Sequence, residues 1–122
     1  MGKESETLKG RTKDFALRIV NLYRALPRTE EARIIGKQVL RSGTSIGANY
    51  RAACRARSRA EFVAKLGIVL EEADETAFWL ALLRDIRVFP DRKLADIARE
   101  ANELVSIFAA SMRTAKGFTS AI

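Results

Sequence analysis

The sequence has no histidine, one cysteine, two prolines and no long apolar run. Each shortage excludes something. Without histidine there is no imidazole base, no Ser-His-Asp relay and no Glu-x-x-His ligand set of the di-iron bundle kind. A lone Cys54 rules out an internal disulfide and fits a reducing compartment. Prolines at positions 27 and 90 alone leave room for long uninterrupted helices. No apolar stretch approaches the roughly 20 residues a membrane helix needs. The opening MGKESETLKG has neither the apolar core of a secretory signal nor the surroundings of a myristoylated glycine. The expectation is a cytoplasmic protein with no membrane partner.

What is present points to one α-helical domain. The chain has 122 residues, 48% hydrophobic and 30% charged, enough to bury a core without disulfide or metal. No series of short β-branched runs separated by turn residues occurs. Four helical segments are readable instead. The first runs from about Thr12 to Leu26, with Phe15, Ile19, Leu22 and Leu26 on one face, and Pro27 ends it. The second opens at Thr29, a good N-cap, with Glu30 and Glu31 where carboxylates suit the helix dipole. Its apolar face is Ala32, Ile35, Val39, Ser42, Ile46, Asn49 and Ala53.

Ser58 and Glu61 form a capping box that starts the third helix. There Phe62, Leu66, Val69, Ala73, Thr76, Leu80 and Leu83 keep the alternating spacing of a heptad seam. Val88-Phe89-Pro90-Asp91 breaks the chain, and Leu94, Ile97, Ala101, Leu104, Phe108 and Met112 mark the fourth helix. Short connections between amphipathic helices predict an antiparallel up-down four-helix bundle over 12–116. A flexible N-terminal segment, 1–11, and a C-terminal tail, 117–122, would flank it. The third helix is apolar beyond its seam, at Val63, Leu70, Ala77, Phe78, Trp79 and Leu82. Either these wrap a thick core or they meet a second partner, of which another copy of the chain is the simplest.

Charge is segregated along the chain. The net charge is +7, and residues 32–60 carry seven basic groups and no acidic one. Residues 61–85 carry two basic against six acidic groups. Within the basic segment lies RSGTSIGANYRAACRARSR, residues 41–59. Gly43 and Gly47 each cost a helix about 1 kcal/mol relative to alanine, so two of them imply close approach of another backbone. A phosphate-binding loop is disfavoured because GxxxxGK[ST] is absent. A break at Ser42-Gly43 is the lesser alternative.

At about 100° per residue, Arg33, Lys37, Arg51 and Arg55 fall within about 40° of one another, with Arg41 roughly 40° further round. Arg57 and Arg59 occupy the turn, and Lys65 follows one turn into the third helix. If the acidic third helix lies alongside, Glu72 and Glu75 neutralise Lys37 and Arg41. The corner formed by Arg51, Arg55, Arg57, Arg59 and Lys65 then stays open to an anion. Tyr50, beside it, is the aromatic candidate for stacking on a base.

Residues 40–83 closely resemble the signature region of the four-helix-bundle proteins encoded in intervening sequences of bacterial 23S ribosomal RNA genes. The shared runs are RS-x-TSI-x-AN at Arg41–Asn49, EF-x-x-KL at Glu61–Leu66 and E-x-x-ET-x-x-WL at Glu72–Leu80. This resemblance implies a bundle assembling into a ring-shaped homo-oligomer, a homopentamer. It also implies similarity to the basic accessory proteins of diversity-generating retroelements, which are taken to bind nucleic acid beside a reverse transcriptase. The chain departs from many relatives in having Ala52 and Ala53 where they carry an acidic residue, which makes the corner more positive.

Catalysis is not expected, and neither is a cofactor or metal. Glu71 and Glu75 are spaced to share a divalent cation, but they fit better as surface charge and salt-bridge partners. Cys54 among arginines would be activated if exposed, yet no base partners it. The leading expectation is therefore a basic, oligomeric, non-catalytic protein that grips RNA or DNA by its phosphates. Arg51, Arg55, Arg57, Arg59 and Lys65 make the primary contacts, and Lys37, Arg41 and Tyr50 the secondary ones. The alternative is an assembly or adaptor module that works through the apolar belt of the third helix.

Overall fold

Capping residues set where the helices begin. In the computed structural model, which describes residues 2–117, four helices occur: α1 Gly2–Ala25, α2 Glu30–Cys54, α3 Arg59–Asp85 and α4 Asp91–Lys116. The described residues contain no strand. The Thr29 hydroxyl accepts the Ala32 N–H at 3.3 Å and starts α2, and the Ser58 hydroxyl accepts the Glu61 N–H at 3.0 Å and starts α3. Pro27 follows α1. Pro90 precedes α4, its carbonyl accepting the Lys93 N–H at 2.9 Å. Between α3 and α4 the chain turns through Arg87, which holds a left-handed φ of 58°.

The periodic apolar positions form the core. Phe15 and Ile19 of α1, Val39 and Ile46 of α2, Leu80 and Leu83 of α3, and Leu94, Leu104 and Phe108 of α4 belong to one buried cluster. The α3 seam is buried from Leu66 through Val69, Ala73, Thr76 and Leu80 to Leu83, while Phe62 at its start is half-buried. Each fully buried leucine contributes about 1.5–3 kcal/mol. At mid-seam the Thr76 and Ser42 hydroxyls lie 2.8 Å apart, so the polar step in each seam is satisfied by the other.

Two features differ from the sequence expectation. Helix α1 begins at Gly2, not near Thr12. Its first turns are polar but rich in good helix formers, and Leu8 packs on the rim of the core. The expected segment 1–11 is thus helical from residue 2, and the expected tail lies outside the described residues apart from Gly117. Second, α2, unbroken through Ser42-Gly43 as the leading reading has it, buries two faces, not one. Gly36, Gly43, Gly47 and Tyr50 are buried beside the Val39–Ile46 line.

The glycines show why. A Cβ at Gly43 would sit 2.8 Å from Ile19 Cγ1, and one at Gly47 would sit 3.4 Å from the Thr12 carbonyl oxygen. Backbone approach of α1 onto α2 therefore requires the small residues. Contacts run in opposite order along neighbours. Gly36 meets Tyr23 and Leu26 whereas Gly47 meets Thr12, and Arg84 meets Asp91 whereas Gly67 meets Met112. Arg11 pairs with Glu100 at 2.7 Å and Arg18 with Asp96 at 2.7 Å, tying α1 to α4. The start of α1, the end of α2, the start of α3 and the end of α4 consequently share one end of the bundle. That end carries the basic corner.

The extra apolar surface of α3 divides. Leu70, Ala77 and Trp79 pack against the core, whereas Phe78 is 59% exposed and Ile68 43% exposed. The rings of Phe78 and Trp79 meet edge to face with centroids 5.0 Å apart.

Candidate nucleic-acid interface

The corner is a tight turn stabilised by its own backbone. The Arg55 N–H donates to the Ala52 carbonyl at 3.1 Å and the Ala56 N–H to the Ala53 carbonyl at 3.0 Å, ending α2. The Arg57 N–H donates to Glu61 Oε1 at 2.8 Å. Glu61, the carboxylate closest to the turn in sequence, is thus engaged by backbone and not by a guanidinium group. Among the described residues Arg51, Arg55, Arg57, Lys65 and Lys37 make no ion pair. Arg51, Arg55 and Arg57 are exposed, and Lys65 is half-buried one turn into α3.

Helix dipoles separate these groups. Arg51, in the last turn of α2, gains the usual ~0.3–1 kcal/mol of a cation at a helix C-terminus. Arg57 and Arg59 flank the N-terminus of α3, where the same field disfavours positive charge. Arg59 recovers part of this by donating from Nε to the Ala115 carbonyl, 2.8 Å away at the end of α4. Arg57 has no such compensation. Among the described residues its guanidinium group makes no ion pair or hydrogen bond.

Two sequence expectations for the site, for Tyr50 and Lys37, are corrected, while the pairing expected of Arg41 is present. Tyr50 is only 6% exposed, its ring tilted against Phe108 with centroids 5.3 Å apart, so it is not presented to a base. Burial, followed by its contact with Cys54, drives the phenol pKa upward. Arg41 is neutralised by α3 as its register suggests, bonding Glu72 at 3.2 Å and also Glu75, which leaves it occupied and not free as a secondary phosphate contact. The Glu75 carboxyl is held below its ordinary range first by the Trp79 indole N–H, 3.0 Å away, and then by Arg41. Lys37, expected to be neutralised by α3, is instead exposed and unpaired among the described residues. The pairing of α3 carboxylates with α2 therefore reaches Arg41 alone.

The opposite end of the bundle holds a second group of basic side chains. Tyr23, Arg24, Arg28 and Arg33 line a cleft of about 370 Å³ at the α1–α2 turn. Their charges are partly offset by Glu30 and Glu31 in the first turn of α2. The described residues contain no cluster of three potential metal-ligating side chains, and no described helix is long and apolar enough to cross a membrane.

Comparison with known proteins follows the same lines. A crystal structure described as a protein with unknown function from the S23 ribosomal protein family of Bacteroides thetaiotaomicron superposes with a TM-score of 0.82 at 39% identity, covering 89% of this chain and 97% of that one. No curated protein matches the chain. The sequence model of the 23S rRNA-intervening sequence proteins matches residues 7–110. With its bundle, its α1–α2 packing and its signature runs accounted for, this chain belongs to the 23S rRNA-intervening sequence protein family.

Proposed function

We propose that this protein binds nucleic acid, RNA or DNA, through backbone phosphates at the α2–α3 corner, without catalysis. The observation that carries the reading is the set of corner cations that no carboxylate compensates among the described residues. Arg51, Arg55, Arg57, Arg59 and Lys65 are the primary contacts, and exposed Lys37 extends them along α2. The order of contacts along successive helices supports an antiparallel, up-down bundle. Copies arranged in a ring, a pentamer by family likeness, would repeat the corner and multiply a weak patch. The same likeness makes a reverse transcriptase a candidate partner, and a reducing cytoplasm is the setting we assign.

A random-sequence duplex titrated with the full chain at several salt concentrations tests the reading. Neutralising about five phosphates gives a slope of log K against log salt of roughly −4 to −5. A flat response, or no binding at low salt, refutes it.

A protein-adaptor reading draws on a different observation, the 59% exposure of Phe78 on the outer face of α3. Charge reversal at Arg55 and Arg57 separates the two. Loss of nucleic-acid binding with assembly intact supports the phosphate reading, and loss of assembly supports the adaptor.

A further inference from the structure

A cleft of about 320 Å³ opens at the basic corner, lined by Ser5, Ala53, Cys54, Ala56, Arg59 and Phe62. Small residues make the space: Ala53 and Ala56 come from the end of α2 and the turn, and Ser5 from the start of α1. Phe62 supplies an aromatic wall, only half-buried although it heads the α3 seam. Arg59 stands at the rim with its Nε fixed to the Ala115 carbonyl, and its Nη groups have no protein partner among the described residues. Cys54 of the lining contacts Tyr50, which is itself buried against Phe108. Ligand pockets run from about 300 to 1,000 Å³, and this one is sized for a single ring system.

Its position is informative. Arg55 and Arg57 immediately flank Ala56 in the turn, so a phosphate held there brings the attached nucleoside to the cleft mouth. A base paired and stacked in a duplex cannot enter such a recess, whereas an unpaired base can. Resting on the phosphate-binding reading above, we infer that this cleft receives one unpaired base of a single-stranded nucleic acid, stacked on Phe62 and contacted by Arg59, while Arg55 and Arg57 hold the adjoining phosphates.

The test uses the full chain and two labelled strands of twelve nucleotides, oligodeoxythymidine and its fully abasic counterpart, which carry the same phosphates. Runs of thymine stack weakly on one another, so strand stiffness contributes little to the comparison. Anisotropy at one low salt concentration gives the ratio of affinities. Stacking of one base predicts tighter binding of the intact strand by about tenfold or more, and Phe62→Leu brings the ratio toward one. Should Phe62→Leu prove unfolded by circular dichroism, Ser5→Trp, which plugs the cleft from the α1 side, takes its place with the same expectation. Equal affinity for the two strands overturns the cleft assignment and leaves phosphate binding intact. A tenfold ratio that neither variant alters places the base elsewhere and also overturns it. Failure of both strands and of a duplex to bind at low salt overturns the phosphate reading itself.

Discussion

Replacing Gly43 by alanine sets helix propensity against packing, and the geometry decides the sign. On propensity alone the change gains about 1 kcal/mol, since alanine loses less backbone entropy in a helix. The new methyl, however, would lie 2.8 Å from Ile19 Cγ1, 3.0 Å from Cγ2 and 3.3 Å from Cβ. Those atoms form the stem of a fully buried, β-branched side chain that has no free rotamer to yield. Overpacking of this kind costs about 1–3 kcal/mol, and the rigid neighbour places it toward the upper end. A net loss of about 1–2 kcal/mol follows, or roughly 4–8 °C in Tm for a chain of this size.

Gly10→Ala is the internal control. Nothing lies within 4 Å of a Cβ at Gly10, so this change keeps the propensity gain and stabilises by about 0.5–1 kcal/mol. Thermal and urea unfolding of both variants, at one fixed protein concentration so that assembly does not shift the midpoint, give the comparison. Equal stabilisation by the two substitutions would mean that α1 does not pack on α2 through Gly43, and the arrangement of the first two helices would be wrong.

Other consequences are equally concrete. Glu75 is titrated below its ordinary range by Trp79 and Arg41, so its stabilisation is present above the unfolded carboxylate pKa and is lost as pH falls through the lower folded value. The single tryptophan should report this as an acid fluorescence transition below the usual glutamate range. Arg41→Gln should raise the midpoint and Glu75→Gln abolish the transition; a midpoint at or above the ordinary value contradicts the contact. Arg11→Ala removes the bonds to Glu100 and Glu103, so amide exchange in the N-terminal half of α1 should accelerate relative to α3, as read by mass spectrometry. Uniform exchange across both helices would refute that tie. Phe78→Ser should leave unfolding within about 0.5 kcal/mol of the parent and lower the solution mass if α3 forms the self-association face. An unchanged mass removes Phe78 from that face.

The helical seams were legible because their periods are clean. Leu66 to Leu83 and Leu94 to Phe108 are buried as the spacing indicates, and Thr29 and Ser58 cap where their chemistry suggests. The first two turns of α1 were not legible, since residues 2–11 present a single large apolar side chain, Leu8, and so no stripe. Tyr50 was misplaced by its neighbourhood in the sequence. It adjoins Arg51, yet one residue is about 100° of helix. Its spacing from Gly36, Gly43 and Gly47, in steps of seven, four and three, marks a second burial line facing α1. That line was readable in glycines, whose burial leaves no hydrophobic signal. Phe62 heads the α3 seam and so reads as core, and only the small residues around it reveal a cleft. Arg24 and Arg28 did not stand out because residues 1–31 set five acidic groups, Glu30 and Glu31 among them, against seven basic ones.

Engagement of phosphates by guanidinium groups at the α2–α3 corner is what the proposed function requires. The most direct measurement compares the parent with the double variant Arg55→Gln, Arg57→Gln, titrating a random-sequence duplex across a range of salt at unchanged solution mass. Removal of two phosphate contacts should reduce the steepness of log K against log salt by about 1.8, together with weaker binding at every salt concentration. A slope identical to the parent's would contradict the assignment.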